Sequence, residues 1–280
     1  MEEAASNLLS LKRKGYPKLH RRFDRMGRLV GDVAMERLAG AHVMVIGLGG
    51  VGSWAAESIV RSGVGTVSLV DFDKVCVTNV NRQLHAMQGQ VGKFKTEVMA
   101  ERLRQINPRA TIHSITTFYQ AECADEILEG RPDFVIDAID HLTSKCDLLA
   151  RCYKAEIPVV SATGSGGRLD PSQVAVTDLA RTQGDPLARS VRGILREKYD
   201  FPKGKNVDFG IPAVYSTEAY TQPEELAYDK GEGFRCVCPQ GDNENFTCDN
   251  RNVIFGNAGF VTGTFGFFCA SVAVRALISS

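Results

Sequence analysis

Four short segments between residues 47 and 95 carry residue types that could bind and activate a nucleotide. They are Gly47-Leu48-Gly49-Gly50-Val51-Gly52, Asp71-Phe72-Asp73, Asn79-Val80-Asn81-Arg82-Gln83 and Gly92-Lys93-Phe94-Lys95. Glycines in a turn let phosphates approach backbone amides, a carboxylate at a strand end can bond ribose hydroxyls, and fixed cations offset phosphate charge. The ordered run therefore points to ATP, and it predicts adenylation of a carboxylate.

The first two segments alone would predict a different chemistry. Gly47, Gly49 and Gly52 have the spacing of a dinucleotide fingerprint between an apolar run and a helix-like segment, with Gly50 among them. The carboxylates Asp71 and Asp73 follow the next apolar run, where ribose is bound in such folds. On these residues alone, an NAD-dependent dehydrogenase would be favoured.

Two cations shift the prediction toward a triphosphate. Arg82 follows a polar loop that contains Asn79 and Asn81, and Lys95 stands at the predicted start of a helix. A triphosphate under attack at its α-phosphorus develops extra negative charge, which fixed cations can offset. We expect Lys95 to be an exposed helix-start lysine whose replacement leaves the fold intact.

A further carboxylate follows the fourth predicted strand. Asp140 stands there, and carboxyl ends of parallel strands are where ligands bind in such sheets, so it could hold Mg²⁺ between phosphates. Asp137 lies inside or beside the strand and is the weaker candidate. His141 is grouped with the nucleotide-binding residues, although as a loop histidine rather than a catalyst.

The eight cysteines form no Cys-x-x-Cys pair, so a four-cysteine zinc site is not indicated. Cys236, Cys238 and Cys248 fall in a segment predicted to be irregular. They could bind zinc with a fourth ligand, one could be a nucleophile or persulfide carrier, or all three could be inert. The other five are predicted to be packing residues, namely Cys76, Cys123, Cys146, Cys152 and Cys269.

Alternating apolar runs and helical spacings predict an α/β fold with a Rossmann-like, doubly wound and mostly parallel sheet. A strand at 173–177 is expected to belong to an antiparallel hairpin in a C-terminal extension, and a basic helix should follow Asp185-Pro186. Residues 200–250 are predicted to be mostly irregular. The predicted strands are 43–47, 67–70, 111–118, 134–139 and 157–162, and the predicted helices are 53–62 and 94–106.

Composition sets the remaining bounds. The net charge is zero, yet residues 11–30 hold eight Lys or Arg against one acid. This basic arm, like the helix with Arg189 and Lys198, could contact phosphates or be a solvated surface. Residues 252–274 carry no charge and are interpreted as a helix buried against the sheet rather than a membrane span. An intracellular, cytoplasmic protein is expected, with organelle or membrane association left open.

The four segments together resemble the family that includes ubiquitin-activating enzymes and the ThiF-type and molybdopterin-synthase-adenylylating enzymes. That resemblance implies nucleotide contacts from Gly50 and Asp71, phosphate binding by Asn79, Arg82 and Lys95, and Mg²⁺ held by Asp140. It also implies a homodimer in which an N-terminal arginine reaches the partner's ATP. Arg25 is the candidate and Arg28 the alternative. The implied catalytic set is Arg25, Arg82, Lys95 and Asp140.

Within that family the chain most resembles the tRNA threonylcarbamoyladenosine dehydratase branch. The supporting segments include Gly50–Glu57, Val75–Asn79, Asn81–Ala86, Ala100–Pro108, Asp185–Ala188 and Thr264–Phe267. The branch implies ATP-dependent activation of the carboxylate of N6-threonylcarbamoyladenosine in tRNA, then cyclisation with net loss of water. It also allows a sulfur-relay partner. The expected organisation is a basic extension at 1–20 and one domain at 21–280, with a nucleotide-binding half at about 40–165 and a substrate-side half at about 166–280.

Three alternatives remain open. An adenylating enzyme for a ubiquitin-like or sulfur-carrier protein would act on a C-terminal carboxylate and need that carrier for pyrophosphate exchange. An NAD-dependent oxidoreductase would bind nicotinamide and leave Arg82, Lys95 and Asp140 without a purpose. A non-enzymatic scaffold would keep its function when Arg82 or Asp140 is replaced by alanine.

Overall fold

The computed structural model describes residues 21–204, 207–224, 226 and 255–279. The helices are α1 (Asp24–Val30), α2 (Asp32–Gly40), α3 (Gly52–Arg61), α4 (Lys95–Ile106), α5 (Ala124–Leu128), α6 (Leu142–Lys154), α7 (Pro186–Lys198) and α8 (Gly259–Ser279). The strands are β1 (His42–Ile46), β2 (Thr66–Val70), β3 (Thr111–Ile115), β4 (Phe134–Asp137), β5 (Val159–Ala162), β6 (Val174–Asp178) and β7 (Pro212–Ser216).

The strands form one seven-stranded sheet in the order β3-β2-β1-β4-β5-β7-β6. All neighbours are parallel except β6 and β7. The winding reverses beside β1, because β2 and β4 flank it on opposite sides. Ligands of doubly wound sheets bind at the carboxyl ends of the strands at such a reversal. The predicted fold class is confirmed, and the nucleotide segments belong to this edge.

Strand residues alternate between two apolar layers. In β1, Val43 and Val45 face the layer that contains α3, α4 and α8, whereas Met44 and Ile46 face the layer that contains α5, α6 and α7. Strands buried on both faces give the near-continuous apolar runs that the sequence displays.

Two strands end earlier than the apolar pattern predicts. β3 ends at Ile115 and β4 at Asp137, whereas residues 118 and 139 were expected. At β4 the cause is local, because the Asp137 carboxylate accepts a hydrogen bond from the Ile139 amide at 3.1 Å and turns the chain. Asp140 therefore lies on a loop beyond the strand rather than at its last residue.

The C-terminal extension is antiparallel as predicted, but its pairing differs from the expected hairpin. β6 pairs with β7, which lies across α7 and inside the segment predicted to be irregular. Residues 211–216 form a short run that contains Pro212 and follows Gly204, Asn206 and Gly210, and this composition masked the strand.

The charge-free C-terminal segment forms α8, which is long and apolar enough to cross a bilayer by length and composition, with 56% of the relevant window buried inside the protein. It packs most closely on α3. A Cβ at Gly266 would lie 2.5 Å from the Val51 carbonyl oxygen, so only glycine permits this approach. The helix predicted over this segment is confirmed.

Candidate functional site

The glycine turn joins β1 to α3 at the carboxyl edge. Gly47 has a φ of +89°, and its amide donates to the Val70 carbonyl at 2.8 Å. A Cβ at Gly52 would lie only 1.8 Å from the Gly47 carbonyl oxygen, so the turn closes directly onto the first residue of α3. The Ser53 amide in the first turn of α3 already donates to the Gly49 carbonyl at 3.2 Å, so the amides offered to an anion are those of the glycine turn just before it.

Asp71 braces this turn. Its carboxylate accepts the Leu48 amide at 2.6 Å and the Asp73 amide at 2.8 Å, and the residue is 8% exposed. A carboxylate has about four acceptor positions, so two remain for ribose hydroxyls. Asp73 is the more open carboxylate, with 38% of its side chain exposed.

Lys95 is buried, and the expectation of an exposed helix-start lysine is wrong. It is 5% exposed, and its Nζ lies 2.6 Å from Asp73 Oδ2 and 4.0 Å from Asp71 Oδ1. Burial alone lowers the pKa of Lys95, but the carboxylates of Asp71, Asp73 and Asp140 outweigh burial and raise that pKa. A fixed ammonium group therefore stands beside the carboxylates of Asp71 and Asp73, and Asp71 in turn bonds the Leu48 amide of the glycine turn.

The polar loop places Arg82 at the same edge. Its Nη1 donates to the Thr78 carbonyl at 2.9 Å and to Asn81 Oδ1 at 3.0 Å. A Cβ at Gly50 would lie 3.3 Å from Arg82 Cγ, so the stem of Arg82 packs against the glycine turn. Asn79 is buried, and its Oδ1 accepts the Cys76 amide at 3.0 Å, so in this structure it stabilises the loop.

The loop after β4 separates two carboxylates of different character. Asp137 is fully buried, and its Oδ2 accepts from Lys145 Nζ at 2.5 Å and from Ser161 Oγ at 2.6 Å. Asp140 is exposed at the edge of the sheet, close enough for its charge to raise the pKa of Lys95. The structure thus agrees with Asp137 being the weaker candidate.

His141 begins α6. Its Nδ1 accepts from the Ser144 amide at 3.4 Å and lies 3.0 Å from Ser144 Oγ. Its ring centroid lies 5.7 Å from that of Phe118. These contacts make it a helix cap beside Asp140, and they agree with a loop histidine.

Within the described ranges, no group of three or more His, Cys, Asp or Glu side chains could hold a metal ion. Mg²⁺ rarely needs such a cage, because one or two carboxylates together with substrate phosphates and water complete its shell. The exposed carboxylate of Asp140 fits that kind of site.

Arg25 lies away from these groups within its own chain. It is exposed on α1, and the neighbouring Phe23 contacts the position of Gly63, just past the end of α3. Arg22 donates to the carbonyl of Ile106, the last residue of α4, at 3.5 Å. Helices α3 and α4 both begin at the carboxyl edge of the sheet, so their last residues lie near the opposite edge. The residues before α1 contact those helix ends, so α1 lies near the opposite edge as well. Arg28, the alternative, ion-pairs with Asp24 at 2.9 Å.

The cysteine predictions divide by region. Cys236, Cys238 and Cys248 lie outside the described residues. The other five are free thiols, and all but Cys123 are buried. Burial raises the pKa of Cys146 to about 11 and those of Cys152 and Cys269 to about 12, which agrees with packing roles.

Sequence reasoning missed the residues at the start of α8. The Asn257 carbonyl accepts from Asn81 Nδ2 at 2.8 Å, and a Cβ at Gly259 would lie 2.5 Å from the Asn81 carbonyl oxygen. Thr262 Oγ1 would lie 3.0 Å from a Cβ at Gly50. The C-terminal part of the chain therefore packs onto the glycine turn and the Arg82 loop, and the glycines of its charge-free segment were the available signal.

A doubly wound sheet with a glycine turn, a buried lysine and two further edge residues, Arg82 and Asp140, defines a nucleotide-binding α/β protein. The chain belongs to the ThiF family, whose family model matches residues 23–280.

Two relatives are similar over nearly their whole length. The tRNA threonylcarbamoyladenosine dehydratase of Haemophilus influenzae is 42% identical over 257 residues, which is 92% of this chain and 93% of the relative. That of Escherichia coli is 41% identical over 258 residues, covering 92% and 94%. The crystal structure of the E. coli enzyme in complex with ATP has a TM-score of 0.80 and 39% identity, covering 92% of this chain and 94% of that one.

Proposed function

We propose that this protein is an ATP-dependent tRNA-modifying enzyme that cyclises N6-threonylcarbamoyladenosine with net loss of water. The carboxylate oxygen attacks the α-phosphorus of ATP, the bond to pyrophosphate breaks, and an acyl-adenylate forms. A nitrogen of the same modified nucleoside then attacks the acyl carbon and loses its proton, while AMP leaves with the former carboxylate oxygen. Two relatives named tRNA threonylcarbamoyladenosine dehydratase support this proposal. Each aligns with this chain over more than nine-tenths of its own length.

The arrangement of Lys95 is the observation that carries the proposal. Its buried ammonium group stands beside the glycine turn, within 4.0 Å of both Asp71 and Asp73. A cation fixed in this way needs little reorganisation when charge develops at the α-phosphorus. Arg82 adds a second cation at the same edge. Such a site works by positioning and electrostatics, and it needs no acid–base pair.

We assign the Mg²⁺ position to Asp140. An exposed carboxylate next to bound phosphates supplies the oxygen ligand that Mg²⁺ prefers, and the ion would neutralise the leaving pyrophosphate. Gly47, Gly49, Gly50 and Gly52 would accommodate the phosphates. Asp71 and Asp73 would bind the ribose, while Asn79, Asn81 and His141 would support the surrounding loops.

We further propose a homodimer in which Arg25 of one subunit completes the site of the other. Its distance from the site in its own chain supports this arrangement. The single domain over 21–280, with a nucleotide-binding half at about 40–165, stays a prediction, although helix α8 contacts the phosphate loops from the C-terminal half.

A cytoplasmic protein acting on tRNA fits the relatives best, and the burial of α8 supports a core helix rather than a membrane contact. A sulfur-relay partner would engage Cys236, Cys238 or Cys248, or else the partly exposed Cys123, because the other four described cysteines are buried.

Nucleoside mass analysis tests the proposal. The protein is incubated with ATP and Mg²⁺ and with modified tRNA, unmodified tRNA or no tRNA. We expect pyrophosphate release only with the modified tRNA, together with loss of one water from the nucleoside. Turnover that instead requires a carrier protein with a C-terminal glycine would establish the alternative, an adenylating enzyme for a ubiquitin-like or sulfur-carrier protein.

A further inference from the structure

Three arginines of α7 form a row along one side of the helix: Arg189, Arg192 and Arg196, called here the α7 arginine row. Residues three and four apart are neighbours on a helix surface, so the spacing aligns the three guanidinium groups. The row borders the buried stripe by which α7 packs onto the protein, formed by Ala188, Val191 and Leu195.

The row carries charge that the described residues do not neutralise. None of its three arginines ion-pairs with a carboxylate in the described ranges, whereas Arg181 pairs with Asp208 at 2.5 Å and Arg151 with Asp147 at 2.8 Å. Partial burial, and then the charges of Arg196 and Arg189, lower the pKa of the Arg192 guanidinium.

The acids near the row do not compensate it. The charge of Asp185 raises the pKa of Arg192. However, the Asp185 carboxylate already accepts hydrogen bonds from Ala188, Gly164 and Arg168. Glu197 follows Arg196 directly, and adjacent residues on a helix do not face each other. Among the described residues, the three cations therefore repel one another without an ion-pair partner.

Two of the arginines are nevertheless held in place, and by neutral groups. Arg192 Nη1 donates to Thr182 Oγ1. Arg196 Nε donates to the Pro202 carbonyl at 3.3 Å, and its guanidinium lies 5.0 Å from the centroid of the Phe209 ring. Fixing them in advance lowers the entropy cost of binding an anion.

The row starts at the same edge of the sheet as the candidate site. The Asp185 carboxylate, which caps α7, accepts the amide of Gly164 at 3.0 Å, and Gly164 follows β5. β5 is the neighbour of β4, whose loop carries Asp140. At 1.5 Å per residue the row extends about 10 Å along the helix from its first turn.

We propose that the α7 arginine row binds backbone phosphates of the RNA strand that carries the modified nucleoside. This inference rests on the proposed function, because it assumes that the substrate is tRNA. Contacts to phosphates position a nucleic acid without reading its sequence, so the row would set the approach of the strand to the site.

Binding of tRNA by Arg189→Gln/Arg196→Gln tests the inference, with Arg181→Gln as the matched control because that exposed arginine is paired with Asp208. We expect the double variant to raise the Kd for modified and unmodified tRNA about tenfold and to lower the slope of log K against log salt by about 1 to 2. The KM for tRNA should rise while kcat stays within about twofold, since the row does not contact the reacting atoms. The control should match the unchanged protein.

Equal tRNA affinity and salt slope in the double variant and the unchanged protein would overturn the inference, and so would an equal loss in the control. ATP affinity and thermal unfolding report whether the fold is kept. Arg189→Gln alone, at an exposed position, provides a second variant whose folding is not at stake. If the arginine substitutions weaken tRNA binding but no nucleoside is cyclised, the proposed function is wrong and the inference about the row is kept. If the nucleoside is cyclised but the substitutions leave tRNA binding unchanged, only the inference about the row is wrong.

Discussion

Lys95 combines a structural and a functional role in one side chain. The spacing Gly-x-x-Lys predicts a cation near the phosphates, but it does not reveal that the lysine is buried. Lys95 can be buried because the two carboxylates after β2 compensate its charge. The segment that carries them pairs with the residue just before α4 through an isolated bridge between Lys74 and Phe94. Removing the ammonium group would leave Asp71 and Asp73 close together without their cation.

We therefore predict that Lys95→Ala abolishes adenylation and also destabilises the fold. Loss of one partner of a buried ion pair costs about 3–5 kcal/mol, and the partial exposure of Asp73 reduces this to about 1–3 kcal/mol. Lys93→Ala, at an exposed position two residues earlier, is the control. Chemical denaturation and ATP–pyrophosphate exchange are the measurements. Unchanged stability would contradict the account of Lys95 as the cation between these carboxylates.

Asp140 separates function from stability more cleanly, because its side chain is exposed. Asp140→Asn should change the free energy of unfolding by less than about 0.5 kcal/mol. Pyrophosphate release should fall at least about tenfold and need more Mg²⁺ for half-maximal rate, since the metal loses its charged ligand. Glu122→Gln is an exposed control of equal charge change. A normal Mg²⁺ dependence in Asp140→Asn would place the metal elsewhere.

At the scale of the elements, α8 joins the two parts of the chain. Its first turn contacts the Arg82 loop, and further along Gly263 and Gly266 face α3 at different distances. A Cβ at Gly266 would lie 2.5 Å from the Val51 carbonyl oxygen, whereas one at Gly263 would make ordinary contacts of 3.7 Å with Trp54.

This difference makes the two glycines a matched pair. Gly266→Ala should destabilise the protein by about 1–3 kcal/mol, because the rigid backbone of Val51 has to move. Gly263→Ala should be neutral or stabilise by up to about 1 kcal/mol, because alanine favours a helix. Thermal unfolding of both variants measures the difference. Equal effects would mean that α8 does not pack on α3 as described.

The elements also mark the limit of sequence reasoning. β1, β2, β4 and β5 were predictable because strands buried on both faces leave continuous apolar runs. β7 was not, since five residues among glycines and prolines carry no period. The pairing of β6 across α7 depends on contacts distant in sequence, as does the closure of α8 over the Arg82 loop.

The same distinction holds for the candidate site. Gly47, Asp71, Arg82, Lys95 and Asp140 were recognised from order and spacing, and the sheet brings their segments to one edge. Thr262 and Asn257 carry no motif, so only the packing of α8 reveals them. The burial of Lys95 depends equally on packing.

At the scale of the whole molecule, the proposed homodimer can be tested with mixed subunits. Mixing equal amounts of Arg25→Ala and Asp140→Ala subunits should restore about a quarter of the activity of the unchanged protein. Half of the dimers are then mixed, and each mixed dimer has one intact site of two. This applies if Arg25 acts across a symmetric interface. The measurement is cyclisation rate after subunit exchange, compared with each variant alone. Absence of rescue, with exchange verified by mass, would assign Arg25 to its own subunit or to no site.

An oxygen label can show whether the threonyl carboxylate of the modified nucleoside attacks the α-phosphorus of ATP. Modified tRNA whose threonyl carboxylate carries ¹⁸O is converted with ATP, and the released nucleotides are analysed by mass. We predict one ¹⁸O atom in AMP and none in pyrophosphate, since AMP leaves with the former carboxylate oxygen. Label in inorganic phosphate with formation of ADP, or label in water alone, would contradict adenylation and the roles assigned to Lys95 and Arg82.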